Sequence, residues 1–376
     1  MRPIALLATF VLALSTVALS PVPERWMPTD VGIPDHQWTG NRVVWNRRPL
    51  RQEWRDFQLD APPAWVVAHP TRPRDRWLLA DQDGTVSEFH RGTLIELAQL
   101  GPGDPPAVTR GDGGALRVGS RTDQDMRHED SLPHGRWVSR GTLGARLAGP
   151  TDGYAHGVLG DEIEASALQL RADDGSSPRA ELDVEQVIEG ISAIAADLAE
   201  NGPFGFVVTV SDAKDGARLR AYDEEGEVLA ESDAIGQGFR WLHQIGVGPT
   251  GPQGEVEVIA VRTPHIGGVV EAYRLDGDRF ERVATIEGYR SHVIGSPNLD
   301  MALLADTDAD GRLEVIVPTQ AMTELAILER TGRGFAEVAR LPLEGQLATN
   351  VAAAVDGQGR LSLAAATEDG RLRIFR

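Results

Sequence analysis

Short runs in which apolar and polar residues alternate recur along this chain. Arg371, Leu372, Arg373, Ile374 and Phe375 form one such run. Its side chains would point alternately to two faces, which predicts a half-buried strand. Similar runs follow a turn signal in ATEDGRLRIF (366–375), ADQDGTVSEF (80–89), AKDGARLRAY (213–222) and IGGVVEAY (266–273). The Asp-Gly and Gly-Gly pairs tolerate positive φ and so favour hairpins. Denser β-branched runs, such as Leu313–Pro318, predict more deeply buried strands.

These runs belong to a repeat. Residues 305–317 read ADTDADGRLEVIV, 196–208 ADLAENGPFGFVV, 353–365 AAVDGQGRLSLAA and 248–260 GPTGPQGEVEVIA. Gly202, Gly254, Gly311 and Gly359 each precede the apolar strand, at intervals of 48–57 residues. Weaker copies lie upstream, at Trp77–Ala80 with Thr85–Phe89, at Ala115–Gly119 and at Ile163–Leu170. Small sheets repeated about every 50 residues predict an all-β chain, a seven-bladed β-propeller, with a solenoid as the alternative. The last strand, LRIF, has no capping segment after it, and ring closure would pair it with an early strand, Arg42–Trp45. One segment reads two ways. Ile188, Ile191, Ala195 and Leu198 have helical spacing, but the repeat makes Ile191–Ala195 a strand, and Gly190 is unfavourable inside a helix.

Composition narrows the setting. The chain has 376 residues, 41% of them apolar and 25% charged, which is a globular composition. A formal net charge of -19 disfavours a nucleic-acid partner, because phosphates would be repelled. Residues 1–20 carry Arg2, an apolar core from Ile4 to Leu14, and the small residues Ser15, Ala18 and Ser20. That is the pattern of a secretory signal peptide, so a periplasmic or secreted protein is expected. Residues 21–40 would form an approach segment and 41–376 a single propeller domain. No later stretch has eighteen uninterrupted apolar residues, so no membrane span is expected after cleavage. Cysteine is absent, which excludes disulfides. Six of the eight Trp residues lie between Trp26 and Trp77, where they would serve either a ligand-binding face or packing of the first blades.

The Asp-x-Asp-x-Asp-Gly loop, the strand after it and the period together resemble the FG-GAP/VCBS-type repeat family. The likeness is tight at Asp306–Val317, recognisable at Asp197–Val208 and Gly359–Ala365, and faint before residue 150. It implies a calcium-binding, interaction-prone seven-bladed propeller of exported proteins and implies no reaction. Glu314 departs from the family, whose last ligand is often Asp.

Calcium takes six to eight oxygen ligands in a flexible cage. The Asp306, Asp308 and Asp310 side chains, the Arg312 carbonyl and Glu314 are the candidate ligands, with Gly311 permitting the turn. The alternative is a solvated acidic turn. No sister loop keeps three carboxylates, so one calcium site at most is expected. His156, His243, His265 and His292 are candidate channel ligands for a transition metal, or else bond to neighbouring backbone. No nucleophile elbow, zincin pair or phosphate loop is present. Asp161 with Glu162 or Glu164 is a carboxylate pair of a kind that hydrolyses glycosides, but such pairs arise by chance among 56 acidic residues. The expected function is a binding module for a protein or saccharide. The alternatives are a hydrolase or lyase with its site in the central funnel, and a structural part of an envelope assembly.

Overall fold

The computed structural model describes residues 36–376 except 71, 73–75, 111–115, 122–129 and 155. The signal-peptide segment 1–20, most of the approach segment and Ala115 therefore lie outside the described residues. Among the described residues, the regular elements apart from one helical turn, His36–Thr39, are strands.

The strands form antiparallel meanders in chain order. One runs Trp65–Ala68, Trp77–Ala80, Thr85–His90, Thr93–Gln99. Another runs Gln186–Asp197, Phe204–Asp212, Arg218–Tyr222, Val228–Ser232. The next is Leu242–Pro249, Val256–Arg262, Val269–Asp276, Arg279–Glu287. It is followed by Leu303–Ala305, Glu314–Pro318, Glu324–Thr331, Gly334–Pro342. Less regular sheets occupy 106–120 and 138–181. A parallel pairing of Val228–Ser232 with Arg279–Glu287 joins two meanders along their outer edges.

Alternation of side chains explains how these sheets stack. Leu303, Ala305, Ile316, Leu325 and Ile327 pack towards Ala353, Leu361, Leu363 and Ala365 of the following sheet. Their neighbours Leu304, Val315, Val317, Ala326 and Leu328 pack the other way, towards Ile245, Ile259, Val261 and Val270 of the preceding one. A strand with an apolar neighbour on each face reads as a continuous apolar run, and every residue of Glu314–Pro318 and Leu361–Ala366 is buried. Fourth strands such as Arg279–Glu287 are largely exposed. First strands of successive meanders touch one another, Gln186–Asp197 against Leu242–Pro249 and that against Leu303–Ala305. Sheets stacked face to face about their first strands make a β-propeller.

Closure differs from the expected pairing. Arg371–Phe375 pairs antiparallel with Trp54–Gln58, not with Arg42–Trp45. Within Arg42–Trp45, Val43 and Val44 are buried on both faces and run parallel to Leu304–Ala305 at the inner edge of another sheet. Trp54–Gln58 offers an exposed outer face and Asp56, which meets Arg373, so its pattern suits an outermost strand. The helical alternative for 187–202 does not form. Gln186–Asp197 is a strand with an irregularity between Glu189 and Ile194, and Gly190 adopts φ +127°, outside the helical region.

Candidate functional site

The Asp-rich loop connects Leu303–Ala305 to Glu314–Pro318, the first two strands of one sheet. Asp306 folds it from inside. Its two carboxylate oxygens accept hydrogen bonds from the backbone N–H groups of Asp310 (3.0 Å) and Gly311 (2.9 Å). Asp308 also accepts from Asp310 N–H at 3.1 Å. The chain can turn this tightly because Ala309 and Gly311 take φ +65° and +92°. Glu314, at the start of the second strand, accepts from Thr307 N–H and Oγ1 at 2.6 and 2.7 Å through one oxygen.

Asp306, Asp308 and Glu314 thereby bring carboxylate oxygens within 4.8 Å of one another. Among the described residues this is the one trio of His, Asp or Glu ligand atoms so close together. Asp310 faces elsewhere. Its carboxylate accepts from Arg312 N–H, Nε and Nη2, and Arg312 also reaches Glu329. Burial, followed by the charges of Asp310 and Asp308, pushes the Asp306 carboxyl up to about 6. Burial pushes Glu314 up to about 8, with Asp308 and Asp306 adding to it. Three hard oxygen donors on a turn are of the kind a calcium ion takes and would supply part of its six to eight ligands, so the residues fit that ion.

The sister loops place a contrasting chemistry at equivalent positions. Glu257 stands where the other copy has Glu314 and keeps the same threonine contact, Thr250 Oγ1 to Oε2 at 2.9 Å. Arg330 then forks onto it at 3.0 and 3.2 Å, and Arg274 adds a contact at 2.8 Å. Asp356 is met by Arg360 at 2.7 Å, and Asp197 by Arg140 at 2.9 Å. Each of these sister carboxylates has an arginine. Asp306, Asp308 and Glu314 have none bonded to them among the described residues.

The four histidines divide. His243, His265 and His292 come together, with His292 ring centroids 6.4 Å from His243 and 5.9 Å from His265. Trp241 stacks on His243 at 4.8 Å and meets His292 edge-on at 5.0 Å. His292 Nε2 donates to the Ser296 carbonyl at 2.7 Å, and His243 Nδ1 lies 2.8 Å from Ser291 Oγ. His156 packs instead beside Tyr154 and Phe239, with Nδ1 2.6 Å from Glu189 Oε1. Burial lowers all three clustered imidazoles, His265 and His292 to about 4 and His243 well below its usual value.

That lowering fixes a pH dependence. Between about pH 4 and 6.5 the unfolded chain binds protons that the folded imidazoles refuse, so stability rises with pH across this window and is lost on acidification. Each such proton contributes a slope of about 1.4 kcal/mol per pH unit. His292→Gln should therefore flatten the stability profile between pH 6.5 and 4 by about one proton, measured by urea denaturation at half-unit steps. An unchanged slope would show that His292 titrates alike in both states.

Sequence reasoning missed two buried sets. Glu189, fully buried, joins His156 to Ser211 Oγ, and its position inside the apolar run VIEGI was a readable signal. Glu164 lies nearby and is pushed up to about 9 by burial, then by Glu189 and Asp161. The second set, Arg42, Arg121, Arg136 and Asp300, comes from segments scattered along the chain, with no local pattern. Of the clustered Trp residues, Trp65 and Trp77 are buried in the core, while Trp38 and Trp54 are partly exposed.

No protein-family model and no curated protein matches the chain. Among solved structures it is similar to BBS1N in complex with ARL6DN, at 14% identity and TM-score 0.48, covering 87% of this chain and 97% of that one. It is also similar to the Cps50 (Swd1) β-propeller domain of Myceliophteria thermophila, at 12% identity and TM-score 0.44, covering 84% and 97%. BamB from Moraxella catarrhalis matches at 12% identity and TM-score 0.40, covering 86% and 98%. The stacked sheets themselves define the fold.

Proposed function

We propose that the protein is a seven-bladed, calcium-binding propeller that works as a binding module for a protein or saccharide. Seven chain-ordered units support the count. They are the sheets within 65–99, 106–120, 138–181, 186–232, 242–287 and 303–342, and the sheet of 352–375 completed by Trp54–Gln58. The broad faces formed by the connecting loops would supply the contact surface, as propellers offer wide loop-lined ends around short, protected sheets.

The observation that carries the calcium reading is where the loop's arginine goes: Arg312, the counterpart of Arg360, turns to Asp310 and Glu329 and leaves the trio without a bonded arginine among the described residues. Sister loops neutralise a carboxylate with Arg330, Arg360 or Arg140, whereas among the described residues the trio Asp306, Asp308 and Glu314 gathers three acidic groups with no bonded cation. Like charges so close disfavour joint ionisation unless a cation joins them. Asp306, Asp308 and Glu314 would hold the ion, which would supply positive charge and tie the loop to the start of the second strand.

Calorimetric titration of chelator-treated protein with calcium should give near-unit stoichiometry and raise the melting temperature. Asp308→Ala, a change at an exposed position, should abolish the heat while leaving the calcium-free melting temperature close to that of the parent. No heat and no thermal shift in the parent protein would reduce the loop to a solvated turn.

A further inference from the structure

Three arginines from distant segments meet one aspartate, and two of them, Arg42 and Arg136, line a small pocket with it between innermost strands. Arg42 lies just before Val43–Val44, Arg121 follows Leu116–Ser120, and Arg136 precedes Val138–Arg140. Their guanidinium nitrogens lie 2.6, 2.8 and 3.6 Å from the Asp300 carboxylate. The four side chains are only 5, 7, 13 and 6% exposed, in the order Arg42, Arg121, Arg136, Asp300.

The three cations are not equally supplied. Arg42 is held by its aspartate contact and by the Ala302 and Val351 carbonyls, so its position is structural. Arg121 lies over the Trp65 ring at 5.4 Å, with a buried Nε that has no partner. Among the described residues, the Arg136 side chain has only the long contact to Asp300, and its Nε is also buried without a partner. Trp241 lines the same pocket as Arg136, and its indole N–H is again buried and unpartnered. Both groups are donors with no acceptor capacity. Burial and the charge of Arg121 push Arg136 down to about 9, still high enough to keep it cationic at neutral pH.

Buried donors without acceptors and buried charges without counter-charges are both costly. Among the described residues, three guanidiniums share the carboxylate of Asp300. The group that would correct both deficits must bring negative charge and several acceptor oxygens. A planar or tetrahedral oxyanion does so, and guanidinium forks match its geometry. We infer that this pocket binds a small oxyanion, a carboxylate or phosphate group, against Arg136 with Trp241 N–H as a second donor. The site is separate from the Asp-rich loop and does not depend on calcium.

Thermal melting in chloride buffer, then in inorganic phosphate or acetate at equal ionic strength, tests this. Either anion should raise the melting temperature by about 2 °C or more over chloride. A rise with phosphate alone assigns a phosphate group, and a rise with acetate as well assigns a carboxylate. Arg136→Gln should cancel the rise and melt no lower than the parent in chloride, since it removes surplus buried charge. Trp241→Phe keeps the ring, removes one donor, and should shrink the rise. The inference is overturned if neither anion exceeds chloride, or if Arg136→Gln retains the full rise, which would mark an adventitious ion elsewhere. It is equally overturned if Arg136→Gln melts several degrees lower in chloride, which would make Arg136 a structural partner of Asp300.

Discussion

A chain ending at residue 370 is expected to lose cooperative folding altogether. Arg371–Phe375 lies between Trp54–Gln58 on one side and Leu361–Ala366 on the other, so its removal breaks two ladders at once. Leu372, Ile374 and Phe375 are almost fully buried and pack into two different clusters. Large-to-small changes at such positions each cost about 2–5 kcal/mol, and the whole fold is stable by only about 5–15 kcal/mol. Arg373, with no exposed surface, forks onto Asp56 at 2.6 and 2.5 Å and so joins the two ends of the chain. Phe375→Ala alone should cost about 3–5 kcal/mol in urea denaturation. Far-UV circular dichroism and a melting curve of the truncated chain give the direct check. A cooperative transition at the parent temperature would mean that the last strand does not close the fold.

Glu257→Ala should destabilise the protein by about 3–5 kcal/mol, far more than a typical acidic-to-alanine change. Glu257 is 1% exposed and takes contacts from Arg330, Arg274 and Thr250. Arg330 is itself 4% exposed and cannot discharge, so losing Glu257 strands a buried cation between two sheets. The matching change in the other repeat, Glu314→Gln, should have the opposite character. It removes one of three crowded carboxylates and should cost little stability without calcium, while weakening calcium binding. Urea denaturation of both variants, with chelator present, separates the two cases. Equal losses would show that the two glutamates play one role and would sink the distinction between an arginine-filled and an ion-filled repeat.

The repeat was legible because a buried strand and a turn leave local marks. Gly254, Gly311 and Gly359 have positive φ before their strands, as the pattern required, whereas in the fourth copy Asn201 takes that conformation and Gly202 does not. The helical spacing in 187–202 competed with the repeat and lost, because Glu189 and Ile191 are buried in a strand that packs on both faces. Asp310 stood in register with its neighbours, yet it turned to Arg312, two residues on, a side-chain choice that spacing does not determine.

What the sequence determined by itself was strand content, turn positions, period and the loop that concentrates acid, since each depends on residues close together in the chain. Which strand closes the fold, which carboxylates meet and which arginines surround Asp300 were decided only by the tertiary structure. Those contacts join residues far apart in the chain, 317 positions for Asp56 and Arg373, and the shape of the stacked sheets sets them. Charge compensation across neighbouring sheets then selects between an arginine and an open cluster of oxygens at positions that look alike in the repeat.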